Sequence, residues 1–210
     1  MKLWMQPLGP IQTNGYVLSN DKGEAIIFDP GMNPEPMLEY IRDLDVKAIL
    51  LTHAHFDHIG GLEQVRQVTQ APVYIHDAEA EWLTDPEKNG SLRWGMITAP
   101  IQCSPRDKAL IDGDLLLIAG FQIEVIHTPG HSPGSVSFYI SEQEILIAGD
   151  TLFQSSIGRT DLPGGSHETL IKSIEEKLLV LPEEINVYPG HGPATTIGKE
   201  ARSNPFLTRR

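Results

Sequence analysis

Four short apolar runs in this 210-residue chain each lead into residues that can ligate metal ions. VKAILLT runs into His53, His55, Asp57 and His58; FQIEVIH leads through Thr128, Pro129 and Gly130 to His131; EILIAG leads to Asp150; and EINVYPG leads to His191. No other feature constrains the fold as much. Strands that deliver functional side chains from their carboxyl ends to a common edge are the arrangement of layered α/β sheets.

The rest of the chain follows the same grammar. GYVLS, AIIFD, APVYIH, DLLLIAG and SVSFYIS are further strand-like runs, rich in β-branched residues and separated by Gly, Pro, Asn and Asp. Helical spacing of apolar residues marks three segments: 36–44 through Met37, Leu38, Ile41 and Leu44; 61–70 through Leu62, Val65 and Val68; and 167–181 through Leu170, Ile174 and Leu178. A shorter candidate starts at Asp77. Strands outnumber helices and alternate with them in the first half, so an α/β fold is expected rather than an all-β barrel. With no Gly/Ser-rich or charged linker, a single domain over 1–210 is the expectation. The stretch 83–107 lacks periodicity and is expected to be a long loop beside a site.

Composition excludes several classes of function. A hydrophobic content of 40% suits a packed core, and a formal charge of -12 with scattered Lys and Arg argues against a nucleic-acid partner. Cys103 is the only cysteine, so neither an intrachain disulfide nor a Cys-rich zinc cluster can form. The N-terminus lacks the apolar core of a signal peptide and no run is long enough to span a bilayer, so the expectation is a cytoplasmic protein without membrane contact.

Within H-A-H-F-D-H, His53 and His55 are two apart and share a side in extended chain, while the next turn can swing Asp57 and His58 to a neighbouring point. One segment can then serve two metals. The ligands are imidazoles and carboxylates without thiolate, which suits zinc, iron or manganese, and they leave open coordination positions, the mark of a catalytic rather than a structural site. Other histidines read differently. His76 and His127 end apolar runs and are expected to be hydrogen-bonded structural residues, and His167 opens a helical pattern near the surface.

T-H-A-H-F-D-H at 52–58, T-P-G-H-S at 128–132, G-D-T-L-F at 149–153 and P-G-H-G at 189–192 together resemble the motifs of the metallo-β-lactamase superfamily. The resemblance implies an αββα four-layer sandwich, with two mixed β-sheets and helices outside. Within the superfamily the chain looks like the glyoxalase II branch, the hydroxyacylglutathione hydrolases. It is most similar to their short bacterial form, because the chain ends soon after His191, without the helical extension of full-length glyoxalase II.

Carried over, the resemblance assigns His53, His55 and His131 to a first metal, Asp57, His58 and His191 to a second, and Asp150 to a bridge between them. The cofactors implied are two divalent ions, with zinc expected and iron or manganese compatible. The substrate implied is a small-molecule thioester of the 2-hydroxyacyl kind, such as S-lactoylglutathione, attacked by a metal-bridged hydroxide that Asp57 helps to orient. Asp29, Thr52, Ser132 and Thr151 are candidates to hydrogen-bond the ligands from behind. β-Lactamases of the commonest dinuclear kind carry Cys at the position of Asp150 and Arg at that of His58, and this chain has neither.

Three alternatives stay open: a mononuclear iron persulfide dioxygenase, a hydrolase of another ester or a lactone, and a protein in which the metal is purely structural. Arg159 and Asp161 in G-R-T-D-L-P-G-G are expected to pair within a turn. Cys103 is expected to be inert, and Trp82 and Trp94 to pack. Oligomeric state is not readable from the chain.

Overall fold

The computed structural model describes residues 1–207. These divide into two compact units, one of residues 1–110 with 118–120 and one of 111–117 with 121 onward.

The first unit is built on a six-stranded sheet of β1 (Lys2–Leu8), β2 (Thr13–Ser19), β3 (Glu24–Phe28), β4 (Asp45–Leu50), β5 (Val73–His76) and β6 (Lys108–Leu110), in that spatial order. The first three strands pair antiparallel, and β3 through β6 pair parallel. Parallel strands need crossovers. Helix α1 (Glu35–Tyr40) lies between β3 and β4, and α2 (Phe56–Ile59) and α3 (Leu62–Thr69) lie between β4 and β5. Val17, Ile27, Ile49, Val73 and Ile75 form one core cluster with Met37 of α1, Ile59 of α2 and Leu62 and Val65 of α3. Helix α3 stops where Gln70 takes a left-handed conformation at φ 56° and its N–H reaches Arg66 O.

The second unit carries another six-stranded sheet, in the order β14 (Thr195–Thr196), β13 (Asn186–Pro189), β10 (Ile145–Gly149), β9 (Val136–Ile140), β8 (Phe121–His127) and β7 (Leu115–Ile118). β8 and β9 pair antiparallel, as do β9 and β10, while β10 and β13 pair parallel; β8, β10 and β13 therefore all run in one direction. A small hairpin of β11 (Leu152–Phe153) and β12 (Ser156–Ile157) follows β10. Helix α4 (His167–Ser173), capped by Ser166 Oγ accepting from Thr169 N–H, buries Leu170 against Leu146, Ala148 and Val187, and α5 (Ile197–Ser203) adds Ile197 to the same cluster.

The segment 167–181 expected as one helix is helical only to Ser173, then widens into a π-type turn over Ile174–Leu178 that keeps Ile174 and Leu178 in the core. The candidate at Asp77 is a 3-10 helix, Asp77–Leu83. Within 83–107 the regular structure is a single 3-10 segment at Ser91–Trp94, as expected of a long loop. Strands β1 and β6 and helix α5 are additions to the sequence reading. β1 is an edge strand holding Pro7, with a largely exposed face. No helix among the described residues is long and apolar enough to cross a membrane.

Candidate metal centre

In the first unit the three parallel strands β3, β4 and β5 deliver functional groups just beyond their carboxyl ends. β3 is followed by Asp29, β4 by the segment from Thr52 to His58, and β5 by the 3-10 helix that carries Glu79. Asp29 sits at φ 47°, a left-handed conformation that Asp tolerates better than most residues and that turns its carboxylate back under the β4 segment. There it accepts the Thr52 N–H on Oδ1 at 2.8 Å and the Thr52 hydroxyl on Oδ2 at 2.6 Å, and His58 Nδ1 lies 2.9 Å from the same Oδ2.

Because Thr52 gives its proton to Asp29, its oxygen accepts from His53 Nδ1–H across 3.0 Å. One buried carboxylate therefore fixes the tautomer of two imidazoles. With the proton on Nδ1, the lone pair is on Nε2, which leaves that atom free to ligate a metal ion.

The remaining members are held as tightly. Ala54, between the two histidines, donates its N–H to Glu79 Oε2 at 2.6 Å, and Glu79 is fully buried. Thr13 at the start of β2 donates its hydroxyl to Asp57 Oδ2 at 2.6 Å. His53 lies with its ring centroid 4.8 Å from that of His55 and 4.1 Å from that of His58, and His58 Nε2 is 3.6 Å from Asp57 Oδ2. His53, His55, Asp57 and His58 are all buried. The four residues expected from the spacing of H-A-H-F-D-H thus converge.

In the second unit the like-directed strands β8, β10 and β13 do the same. His131 follows β8, Asp150 follows β10 and His191 follows β13. His131 Nε2 and His191 Nε2 lie 3.5 and 3.6 Å from the same oxygen, Asp150 Oδ2. His131 Nδ1 is 2.8 Å from the carbonyl oxygen of Arg159, which again puts the ring proton on Nδ1.

Two glycines permit this packing. Gly130, at φ 132°, passes so close to α4 that a Cβ would fall 2.3 Å from Leu170 N, and a Cβ on Gly158 would fall 1.8 Å from the Asp150 carbonyl oxygen. Gly190 N–H donates to Gly149 O at 2.8 Å, tying the His191 turn to the Asp150 turn.

Of the supporting residues named from the sequence, Asp29 and Thr52 hydrogen-bond His58 and His53. Thr151 shares a hydrogen bond with Thr128, and Thr128 with Ser137, each at 3.1 Å, and Ser132 Oγ pairs with Ser135 Oγ at 2.7 Å across a turn. Thr13, Glu79 and the Arg159 carbonyl escaped the sequence reading. Arg159 pairs with Asp161 through two hydrogen bonds of 2.8 and 2.7 Å, which hold the Asp161 carboxyl down at about 2. His76 accepts from Ala78 N–H and His127 Nε2 meets Pro133 O at 2.9 Å, both hydrogen-bonded as expected. His167 opens α4 at the surface. Trp82 packs beside His55, its centroid 5.7 Å away. Cys103 is buried and its thiol is pushed up to about 12 by desolvation, then by the charge of Glu63, as befits an inert residue.

A sequence profile of the metallo-beta-lactamase superfamily matches residues 8–191, a span that takes in every ligand candidate. The chain belongs to this superfamily. It has the superfamily's α/β fold of two mixed β-sheets flanked by helices, and it is a metallo-hydrolase of that group.

Its relatives include the probable metallo-hydrolase YqgX of Bacillus subtilis, 50% identical over 99% of this chain and 98% of that one. The hydroxyacylglutathione hydrolase GloC of Haemophilus influenzae is 36% identical over the whole of both chains. Among solved structures, the BLEG-1 B3 metallo-beta-lactamase is similar with a TM-score of 0.95 and 52% identity over 99% of this chain and 100% of that one. TTHA1623, solved in a di-iron-bound form, has a TM-score of 0.85 and 40% identity over 97% of this chain and 100% of that one.

Proposed function

We propose that residues 1–210 act as one domain that hydrolyses small 2-hydroxyacyl thioesters of the glyoxalase II type, with two divalent metal ions held by His53, His55 and His131 on one side and Asp57, His58 and His191 on the other. The observation that carries this reading is Asp150 Oδ2. The Nε2 atoms of His131 and His191, the two histidines that would hold different ions, lie 3.5 and 3.6 Å from it, so Asp150 would be the carboxylate the two ions share.

The donor chemistry fits the ions: neutral imidazoles locked as Nδ1–H tautomers by Asp29, Thr52 and the Arg159 carbonyl, with two carboxylates to balance charge. When bound, a metal pair supplies a water ionised near neutral pH and an electrophile for the carbonyl oxygen.

The chain's own residues do the rest. Thr13 pins Asp57 Oδ2, which fixes the carboxylate plane and aims Asp57 to accept a hydrogen bond from the attacking water. A thioester suits such a site because the departing thiolate, with a pKa near 8 to 9, leaves without a dedicated proton donor. Similarity to GloC over its full length supports the thioester class, and the net charge of -12 agrees with a small-molecule substrate rather than nucleic acid. Cytoplasmic residence is part of the same proposal.

The ligand set accepts zinc or iron, and the di-iron form of TTHA1623 gives iron equal standing. Two ions per chain in protein purified without added metal, together with turnover of S-lactoylglutathione, is the expected result. One iron per chain with oxygen uptake on a persulfide would replace this reading with the dioxygenase. A second reading, β-lactam hydrolysis, is favoured by the 52% identity to the BLEG-1 enzyme. Turnover of a chromogenic cephalosporin with no thioester cleavage would establish it.

A further inference from the structure

Glu200 on α5 is fully buried and takes no part in the chemistry proposed above. Its Oε1 accepts the Thr195 hydroxyl at 2.5 Å, and its Oε2 accepts the Ser155 N–H and Asn204 Nδ2 at 2.8 Å each. All three donors are neutral groups, a costly way to bury a carboxylate.

Two of these bonds converge on the hairpin of β11 and β12. Pairing of Leu152 with Ile157 and of Phe153 with Ser156 leaves Gln154 and Ser155 as its turn. Ser155 takes φ 56°, a left-handed conformation uncommon for serine. Glu200 holds the N–H of that strained residue, and Asn204, also fully buried, donates from Nδ2 to Ser156 O at 3.0 Å. The Asn204 amide is itself oriented, because its Oδ1 accepts the Phe206 N–H at 3.0 Å. Strain that the surroundings hold in place is a pointer to function.

Both arms of the hairpin lead to ligand candidates. On the outgoing arm Phe153 meets the His191 ring edge-on, with centroids 6.3 Å apart at 88°. On the returning arm Gly158 donates its N–H to Thr151 O at 3.3 Å, and the next carbonyl, that of Arg159, lies 2.8 Å from His131 Nδ1.

We propose that Glu200 and Asn204 are positioning residues for the metal centre: from α5 they clamp the turn 154–155 and so set the His191 ring through Phe153 and the His131 ring through the Arg159 carbonyl. The proposal rests on the reading of these histidines as metal ligands. Because the two arms are paired residue to residue, a turn released from the clamp shifts Phe153 and Arg159 together, and both rings lose their fixed orientation.

Glu200→Gln and Glu200→Ala separate the clamp from packing. Glutamine can keep an oxygen towards Ser155 and Asn204 and turn its amide N–H to the Thr195 oxygen, whereas alanine keeps none of the bonds. Asn204→Ala, which removes only the bond to Ser156 and those of its own amide, carries the same test if Glu200→Ala does not fold. Leu178→Ala, a core truncation in the π-type turn, controls for lost stability. Zinc affinity, read by competition with a chromogenic chelator, should fall about 3- to 10-fold in the two clamp alanines, less than the roughly 10- to 100-fold of a direct partner of a ligand. It should stay within about 2-fold of the unaltered protein in Glu200→Gln and Leu178→Ala. A proton–nitrogen correlation of the histidine rings in metal-free full-length protein should show His131 as a single Nδ1–H tautomer in the unaltered protein and Glu200→Gln, and as a mixture in the clamp alanines. Unaltered affinity and a single His131 tautomer in the clamp alanines would overturn the proposal, as would an equal loss in Leu178→Ala. Mixed tautomers in the clamp alanines of a protein that takes up no zinc or iron would uphold the clamp and refute the metal reading.

Discussion

Asp29 Oδ2 lies 2.9 Å from His58 Nδ1 and also accepts the hydroxyl of Thr52, through which it reaches His53. Two ligand candidates assigned to different ions are thus oriented by one carboxylate on the neighbouring strand. Asp29→Asn retains the size and the tolerance of a left-handed backbone but replaces the carboxylate with an amide. Affinity for both ions should fall by about 10- to 100-fold, read by competition with a chromogenic chelator. Unchanged affinity would remove Asp29 from the site.

Asp57 is the residue whose loss should separate chemistry from binding. Asp57→Asn is expected to lower kcat by about 10²- to 10⁴-fold with a much smaller change in KM. Thr13→Val should show a milder loss of the same kind, largely restored in Thr13→Ser, because only the hydroxyl that meets Asp57 Oδ2 is at issue. A rise in KM with normal kcat would contradict the role given to Asp57.

Gly158 tests the packing behind the second unit's ligands. Alanine there would bring a Cβ to 1.8 Å from Asp150 O, a backbone atom that cannot swing away. Gly158→Ala should cost about 1 to 3 kcal/mol, seen as a lower Tm, and should reduce metal content together with stability. At Gly23 nothing lies within 4 Å of an added Cβ, so Gly23→Ala senses only the strain of φ +81° and should leave metal content intact.

Cys103 gives a pH-dependent reporter. Burial raises the thiol from 9.0 to about 12, so the folded protein holds its proton where the unfolded chain releases it. The stabilising contribution is therefore complete below pH about 9 and is lost as pH rises towards 12. An aromatic disulfide reagent at pH 8 should label native protein at the rate of unfolding and label protein in guanidinium at once. Rapid native labelling would show that Cys103 is accessible.

Much of the site was legible because its residues occur as local patterns. H-A-H-F-D-H is six adjacent positions, and His131, Asp150 and His191 each follow an apolar run by a few residues, so the strand rule predicts that each stands at a carboxyl end, as it does. Strands such as β3 and β10 were equally visible because they are buried and nearly continuously apolar. Strand β1 and helix α5 were not. β1 is half exposed on an edge, and α5 has a single large apolar anchor, Ile197, too few to set up a period.

The sequence by itself determined the types of the candidate ligands, their order along the chain and the strands that present them, since these depend on short-range periodicity and turn chemistry. Only the tertiary structure decided which groups hold those ligands in place. Thr13 reaches Asp57 across 44 residues, Glu79 reaches Ala54 across 25, and the Arg159 carbonyl reaches His131 across 28. A lone threonine, a lone glutamate and a backbone oxygen carry no spacing signal, because their partners are chosen by how parallel strands and their loops pack in space.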